Sequence, residues 1–220
     1  MANKIHAESK VELSPLVAKH YDKIMNSITF GKYNHFIHKA IKDMDIQSGD
    51  QVLDLGCGTG KNAGLIAQYL DDKGSVTGID VSPVMEQQFN DKHGSDARFS
   101  FKKERIDIPF KLEETYDKVF ISFVIHGLPH EHRKNLIQNA FDHLKPGGKL
   151  LILDFSEFDM AEMPSHHRFI FKTVECKYAF DYIERDWKSI LTEYGFLDFK
   201  EQLYLKKYTR LLTAYKTVAA

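Results

Sequence analysis

The strongest structural signal in this chain is the stretch Gln51–Gly60, QVLDLGCGTG. Its apolar residues lead into alternating glycines, a pattern typical of a buried parallel strand that turns sharply into a helix. The strand ends at Asp54, and three glycines form the turn: Gly56, Gly58 and Gly60. Glycine suits such a turn because it tolerates positive φ and has no Cβ to keep a ligand away from the backbone. The stretch therefore predicts a ligand-binding loop, with the N–H groups of a helix that begins near Lys61 directed at the ligand.

A second strand follows at Gly74–Val81 and ends at Asp80. A carboxylate there can accept hydrogen bonds from two ribose hydroxyls in the crevice beyond the strand ends. The glycine spacing is Gly-x-Gly-x-Gly, with no glycine at Lys61 or Asn62, and it lacks the Gly-x-Gly-x-x-Gly turn that suits a pyrophosphate. The spacing therefore favours S-adenosylmethionine over a dinucleotide.

Three segments resemble the signatures of class I S-adenosylmethionine-dependent methyltransferases, in the order and at the spacing of that family. They are 52–60 (VLDLGCGTG), 78–85 (GIDVSPVM) and 144–155 (LKPGGKLLILDF). The resemblance implies an α/β fold with a doubly wound, mostly parallel sheet of seven strands, the last of them antiparallel. It also implies an enzyme of the class EC 2.1.1.- that transfers the sulfonium methyl group of its cofactor to a nucleophile.

The resemblance also implies a set of cofactor contacts. In the segment 102–110 (KKERIDIPF), Glu104 falls on the family's adenine-binding aspartate, and Arg105 falls on the residue whose backbone N–H meets the ring. Asp107 is a competing carboxylate out of that register. The full expected set of cofactor-binding residues is Tyr21, Asp54, Gly56, Cys57, Gly58, Gly60, Asp80, Val81, Met85, Glu104, Arg105, Ser122 and Phe123.

A fourth strand, Tyr116–Phe123, runs into the segment 124–133 (VIHGLPHEHR). The transferable methyl group is expected at this strand end, because ligands of such sheets occupy the crevice at the carboxyl ends of the central strands. His126 is the best placed titratable side chain there and is the candidate catalytic base; a purely structural hydrogen bond to the backbone is the alternative.

A metal site is not expected at the histidines of this segment. His126 and His130 would share a helical face, but Gly127 and Pro129 interrupt the helix that would align them. His132 cannot share a helical face with His130.

Two further regions are expected around the sheet. Residues 1–48 predict an N-terminal helical lid, with one helix from Ser14 and a second over Tyr33–Ile46, and residues 49–220 predict the S-adenosylmethionine-binding domain. Tyr21 and Tyr33 are placed near the methionine end of the cofactor or in the packed core. Residues 157–194 are rich in aromatic side chains and predict a helical insert after the fifth strand, which caps the substrate or covers the sheet.

Two segments narrow the resemblance to the ubiquinone and menaquinone C-methyltransferases. They are 17–36 (VAKHYDKIMNSITFGKYNHF), which resembles the family's entry segment, and 153–158 (LDFSEF), which resembles its Glu-Phe-Ser after the fifth strand. The family's Arg-Asn pair after the fourth strand is replaced here by His126 and Gly127. The resemblance implies a small apolar or aromatic acceptor such as a quinone precursor. Small amines, phenols and thiols are alternative acceptors, and a non-catalytic S-adenosylmethionine-binding protein is an alternative function.

Composition limits the class of partner. The chain has 220 residues and a formal net charge of −1, so it is long enough for one domain with a cap and has no excess positive charge for a nucleic acid. Cys57 and Cys176 predict reduced thiols in a cytoplasmic protein. No apolar run approaches a membrane span. The expected partners are a small-molecule methyl acceptor and at most a second copy of the chain, as a monomer or homodimer.

Overall fold

The computed structural model describes residues 5, 6, 8, 9 and 32–218. Within them seven strands form one sheet in the order β3-β2-β1-β4-β5-β7-β6. The strands are β1 (Gln51–Leu55), β2 (Ser75–Asp80), β3 (Phe99–Lys103), β4 (Tyr116–Ser122), β5 (Leu144–Phe155), β6 (Phe196–Tyr204) and β7 (Thr209–Lys216). Neighbours from β3 to β5 are parallel, and β7 is antiparallel to both β5 and β6. The predicted mostly parallel sheet with an antiparallel last strand is confirmed.

Seven α-helices accompany this sheet in the described part of the chain. They are α1 (Lys32–Asp43), α2 (Lys61–Ile66), α3 (Pro83–His93), α4 (His130–His143), α5 (Ser165–Val174), α6 (Lys177–Ile183) and α7 (Trp187–Glu193). None of these helices has the length and apolar character needed to span a bilayer. The start of α3 follows the rules for helix capping: Ser82 Oγ accepts a hydrogen bond from Met85 N, and Pro83 takes the first helical position.

The sheet is buried on both faces, as a doubly wound sheet requires. On one face α4, α6 and α7 pack through Leu136, Ala179 and Trp187. On the other face α1, α2 and α3 pack through Ile37, Ala63 and Phe89. Because side chains alternate along a strand, neighbouring residues of β1 point into different cores, with Leu53 in the first and Val52 in the second.

Two buried arginines fasten the segment after β5 to the rest of the fold. Arg133 in α4 is fully buried and donates to the carbonyl of Tyr178 and to Asp181 in α6. Arg210 in β7 is 2% exposed and pairs with Glu157 and Glu201. These contacts join 157–194 to the rest of the fold, and the role of the segment as a substrate cap stays a prediction.

The predicted N-terminal lid falls only partly within the described residues. Its second helix is α1, whose apolar face packs on the sheet through Phe36, Ile37, Ala40 and Ile41. The first predicted helix, from Ser14, lies outside the described residues, and so does Tyr21. The division of the chain into lid, domain and insert stays a prediction.

Candidate active site

The glycine loop between β1 and α2 lies at the carboxyl edge of the sheet. Gly56 N and Cys57 N both donate to Ile79 O, at 2.8 and 3.0 Å, which holds the loop against β2. A Cβ at Gly56 would lie 2.6 Å from a Val124 methyl group, and one at Gly60 would lie 2.6 Å from the Phe89 ring, so packing requires both glycines. At Gly58, where φ is +54°, a Cβ would have nothing within 4 Å among the described residues. The backbone of Gly58 is therefore open to a ligand.

Asp54 is a buried carboxylate beside this loop. It is 1% exposed, and neither carboxylate oxygen has a hydrogen-bond partner among the described residues. Burial, followed by the charge of Asp80, raises the pKa of Asp54 to about 7. Such a group calls for a positively charged or N–H-donating ligand atom. The ammonium group of S-adenosylmethionine has that chemistry, so the residues present fit the cofactor implied by the sequence.

Asp80 is held in place by backbone donors at the end of β2. Its Oδ2 accepts from Gly58 N at 3.0 Å and its Oδ1 accepts from Ser82 N at 2.9 Å. Burial raises the pKa of Asp80, although these N–H groups favour the ionised form. The lone pairs that these backbone donors do not use can accept from a ligand hydroxyl. Beside Asp80, the side chain of Val81 is 40% exposed and offers an apolar surface.

The two candidate carboxylates after β3, Glu104 and Asp107, differ in exposure and in hydrogen bonding. Glu104 is exposed, whereas Asp107 is buried. The Arg105 guanidinium donates to both oxygens of Asp107, at 3.0 and 2.7 Å, and His6 lies 2.9 Å from Oδ2. Asp107 is therefore engaged by other side chains, and Glu104 is the carboxylate of this segment that a ligand can reach.

Phe123 stands just beyond the end of β4 with a left-handed backbone, at φ +53°. This conformation costs a non-glycine residue about 1–2 kcal/mol, and the hydrogen bond from Phe123 N to Leu153 O at 2.9 Å helps to hold it. The ring lies 6.1 Å from the ring of Phe36 in α1 and 6.3 Å from that of Phe155. Strain of this kind is common where a side chain is turned towards a ligand.

His126 forms a buried pair with Asp154, the residue before the end of β5. His126 Nδ1 lies 2.7 Å from Asp154 Oδ1, and His126 Nε2 lies 3.6 Å from an oxygen of Glu175. Asp154 also accepts from Phe155 N, so it acts as a hydrogen-bond acceptor, and Nδ1 of His126 is the donor. Burial would lower the pKa of His126, but Asp154 and Glu175 outweigh burial and raise it. The two carboxylates therefore favour the protonated form of His126.

Sequence reasoning missed both partners of His126. A usable signal for Asp154 existed, because β4 and β5 are neighbouring parallel strands and their carboxyl ends meet at one edge. Glu175 follows α5 directly and reaches His126 only through the packing of 157–194, which no local pattern indicates.

The remaining predicted cofactor residues lie close to these groups in the fold. Cys57 and Met85 are buried beside the loop and at the start of α3, and Ser122 ends β4. Their contacts with the cofactor stay predictions. Neither Tyr21 nor the side chain of Tyr33 belongs to the described part of the chain.

A comparison with known protein families shows the family to which this chain belongs. The sequence model described as the ubiE/COQ5 methyltransferase family matches residues 4–179. The chain belongs to this family. S-adenosylmethionine-dependent methyl transfer, which the sequence predicts, is the activity of the family and is confirmed, as is the cofactor.

Several curated relatives of the chain are named demethylmenaquinone methyltransferase. The chain is 29% identical over 163 residues to the demethylmenaquinone methyltransferase of Lactiplantibacillus plantarum, which covers 72% of this chain and 67% of that protein. It is 27% identical over 173 residues to the enzyme of the same name from Staphylococcus aureus (strain JH9), with 78% and 70% covered. For the Tropheryma whipplei (strain Twist) enzyme the covered share falls to 62% of the relative's length.

Solved structures agree on the fold. An S-adenosylmethionine-dependent methyltransferase from Aquifex aeolicus superposes with a TM-score of 0.66 at 20% identity, covering 93% of this chain and 99% of that one. The N-methyltransferase NodS from Bradyrhizobium japonicum, in complex with S-adenosyl-L-homocysteine, superposes with a TM-score of 0.60 at 17% identity, covering 85% and 87%. At these identities the likeness concerns the fold alone.

Proposed function

We propose that this family member transfers a methyl group to a ring carbon of a demethylated quinone precursor, in its reduced quinol form. The names of the curated relatives support this acceptor. The structural observation that carries the proposal is the His126–Asp154 pair, with Nδ1 and Oδ1 2.7 Å apart at the ends of β4 and β5. It supplies a charged hydrogen-bond donor at the place where the acceptor is expected.

The cofactor supplies an activated methyl group when bound, and the residues of this chain hold it. In the proposal Asp54 receives the ammonium group, Asp80 receives the ribose hydroxyls, and Gly58 lets the cofactor approach the backbone. The adenine is bordered by a set of residues on the β2 and β3 side: Val81, Met85, Glu104 and Arg105. The methionine end is bordered by Ser122, Phe123 and Tyr21, while Gly56, Cys57 and Gly60 shape the loop.

His126 is proposed to hold a ring oxygen of the acceptor. The family's basic residue after the fourth strand is replaced here, and a protonated His126 between Asp154 and Glu175 restores a positive charge at that position. A hydrogen bond from a charged donor increases the specificity for an oxygen-bearing ring. Apart from this orientation the reaction needs little acid–base chemistry, because the leaving group is already activated and alignment supplies most of the rate.

Methylation of a ring carbon also requires a base that removes a proton. When the ring carbon forms its bond to the methyl group, the hydrogen on that carbon must leave as a proton. Glu175 is half-buried with an oxygen 3.6 Å from His126 Nε2, and it is the carboxylate proposed to receive this proton. The two side chains would then share the work of holding and deprotonating the acceptor.

Aromatic packing near His126 favours a flat acceptor. The ring of Phe155 lies 4.9 Å from the His126 ring and 5.1 Å from that of Phe171, which lies 5.6 Å from that of Phe158. A cleft of about 520 Å³ lies next to this group, lined by Glu157, Phe158, Asp159, Met160, Ile183 and Glu184. Small amines, phenols and thiols remain the alternative acceptors, and the assay below separates them.

The experiment is calorimetric titration of the purified protein with S-adenosylmethionine and, separately, with NAD, followed by an assay for S-adenosylhomocysteine. Micromolar binding of S-adenosylmethionine, with S-adenosylhomocysteine formed only when a demethylated quinol analogue is added, is the expected result. Product formation with an amine, phenol or thiol but not with the quinol would overturn the quinone proposal. Binding without turnover on any acceptor would favour a non-catalytic role.

Cys57 and Cys176 are both free and buried. Cytoplasmic localisation and a monomeric or homodimeric state are further predictions that go with this function.

A further inference from the structure

Three side chains away from the glycine loop meet around one carboxylate oxygen. They come from separate parts of the chain: His6 from the N-terminal residues, Asp107 from the segment after β3, and His132 from the first turn of α4. His6 Nε2 lies 2.9 Å from Asp107 Oδ2, and His132 Nδ1 lies 3.3 Å from the same oxygen. All three atoms lie within 4.8 Å of one another. We propose that these three atoms bind a divalent transition-metal ion, with Zn²⁺ as the ion whose preferences they fit best.

The ligand set and its spacing suit this ion. Two imidazoles and one carboxylate form a known ligand set for zinc, with a fourth position left for water. Tetrahedral zinc with bonds of about 2.0–2.1 Å places neighbouring ligand atoms about 3.3 Å apart. The separations of 2.9 and 3.3 Å from Asp107 Oδ2 are close to that value, so small side-chain adjustments suffice. Calcium and magnesium are disfavoured because they prefer all-oxygen sites.

Burial and charge also favour a cation. The side chains of His6 and Asp107 are 10% and 7% exposed, so a bound ion would be largely shielded from water. Burial would raise the pKa of Asp107, but the hydrogen bonds from Arg105 and His6 outweigh burial and hold it at about 2. The Asp107 carboxylate lies between the two imidazoles, with Oδ2 within 2.9 and 3.3 Å of their nitrogens, so its negative charge is placed to attract a cation.

Arg105 limits the affinity of the proposed site for Zn²⁺. Its Nε donates to Asp107 Oδ1 at 3.0 Å and its Nη2 donates to Oδ2 at 2.7 Å. Each carboxylate oxygen has a second lone pair, so Arg105 can keep orienting the carboxylate while Oδ2 binds the ion. The guanidinium charge opposes a second cation nearby, and we expect a micromolar site rather than the far tighter binding of a zinc finger.

The carbonyl oxygen of Asp107 accepts hydrogen bonds beside the proposed metal site. Asn135 Nδ2 donates to Asp107 O at 3.0 Å, and His132 Nδ1 lies 3.0 Å from the same carbonyl oxygen. Ligation of Nδ1 replaces that hydrogen bond, while Asn135 continues to hold the carbonyl. The ion would then tie residue 6 and the start of α4 to the segment that carries Glu104, the residue proposed to border the adenine.

The test uses metal alone, so that its result is independent of cofactor and acceptor. The full-length protein is treated with a chelator and titrated with Zn²⁺ by calorimetry, and with Co²⁺ by visible absorption. We expect one saturable site per chain and Co²⁺ bands of a low-coordinate site. His6→Ala and His132→Asn should each weaken binding at least tenfold and remove the Co²⁺ bands.

Surface histidines provide the matched control. His35 and His38 are exposed one helical turn apart on α1, and the double variant H35A/H38A should bind Zn²⁺ like the parent. Circular dichroism and Tm of each variant without metal show whether it is folded. The proposal is overturned by the absence of saturable binding, by unchanged affinity in folded His6 and His132 variants, or by loss of the site in the control. Variants that lower Tm equally with and without Zn²⁺ would identify the cluster as hydrogen-bonded packing only.

Discussion

Asp54 and Asp80 lie at the carboxyl ends of neighbouring parallel strands, and the charge of Asp80 adds to burial in raising the pKa of Asp54 to about 7. Asp54 is 1% exposed and has no hydrogen-bond partner among the described residues. A cationic ligand group at Asp54 would favour its ionised form. Binding of the cofactor should therefore be coupled to the loss of a proton from Asp54.

This coupling predicts a pH-dependent affinity. Below pH 7 the proton must leave before the ammonium group can pair with the carboxylate, so affinity for S-adenosylmethionine should rise by up to about tenfold per pH unit and then level off. The Asp54→Asn variant should bind weakly at pH 8 and show no such rise. Calorimetry between pH 5.5 and 8.5, in buffers of different ionisation enthalpy, measures both quantities. An equal pH slope in the two proteins would contradict the assignment.

The raised pKa of Asp54 also predicts that the free energy of unfolding of the cofactor-free protein depends on pH. The pKa of Asp54 in the folded state, about 7, lies above its ordinary 3.8, so the folded state holds the proton more tightly. The stability that this group contributes is present below pH 3.8 and is lost as pH rises to about 7. Asp54→Asn should therefore raise the free energy of unfolding at pH 8, by on the order of 4 kcal/mol at most. The gain should shrink towards pH 4 in urea titrations, and a gain independent of pH would exclude this cause.

A substitution at Gly58 tests whether the ligand approaches the backbone there, because no side chain of the described residues packs against this glycine. A Cβ there meets nothing within 4 Å of the described residues, but φ is +54°, so Gly58→Ala should cost about 1–2 kcal/mol of stability and weaken cofactor binding at least tenfold. Gly49→Ala is the matched control, because its Cβ also meets nothing and its φ is not positive. Gly60→Ala should mainly destabilise the fold through Phe89. Full cofactor affinity in folded Gly58→Ala would show that the ligand does not reach this backbone.

Asp80 should contribute to affinity through the ribose. Asp80→Ala removes charge-assisted hydrogen bonds and should weaken S-adenosylmethionine binding by about 1.5–3 kcal/mol, or roughly 10- to 150-fold. The backbone amides of Gly58 and Ser82 also lose their acceptor, so Tm must be measured alongside affinity. Comparison with S-adenosylhomocysteine, which has the same ribose, provides a second readout. Unchanged affinity for both ligands would rule out the ribose contact.

Much of the sheet could be predicted because its signals are local. Gln51–Gly60 combines an apolar run with glycines at positive φ, and Ser82–Pro83 marks the start of α3 by capping chemistry. Tertiary pairing modifies the local pattern at the start of β5. Residues 145–148 (KPGG) lie between the pairs Tyr116–Leu144 and Lys118–Lys149, where the register with β4 shifts.

Residues of the candidate site could be predicted only where they belong to one continuous segment of the sequence. Asp54, Gly58 and Asp80 belong to one strand-loop-helix-strand unit, so their meeting follows from the sequence order. Asp154 is 28 residues from His126, and His6 is 101 residues from Asp107. Such pairs form through tertiary packing, which hydrophobic periodicity does not encode. The same limit explains why the local spacing of His126, His130 and His132 gives no indication that His132 lies beside His6 and Asp107.

Arg133 links the His126 turn to the insert, and its removal should be costly. Its guanidinium is fully buried and donates to the carbonyl oxygens of Ile125, His126 and Tyr178 and to Asp181. Arg133→Met keeps similar volume but leaves those acceptors without their donor. We expect a loss of about 3–5 kcal/mol in the free energy of unfolding, measured by urea denaturation.

Arg185 provides the control for Arg133, because it pairs with the same Asp181 at the surface, where the two side chains are 32% and 42% exposed. Arg185→Met should therefore cost less than about 1 kcal/mol. The two variants remove the same charge from the same carboxylate and differ in the buried carbonyl oxygens that lose a donor. Equal losses in both would mean that the ion pair, and not the buried carbonyl contacts, holds the insert against the turn of His126.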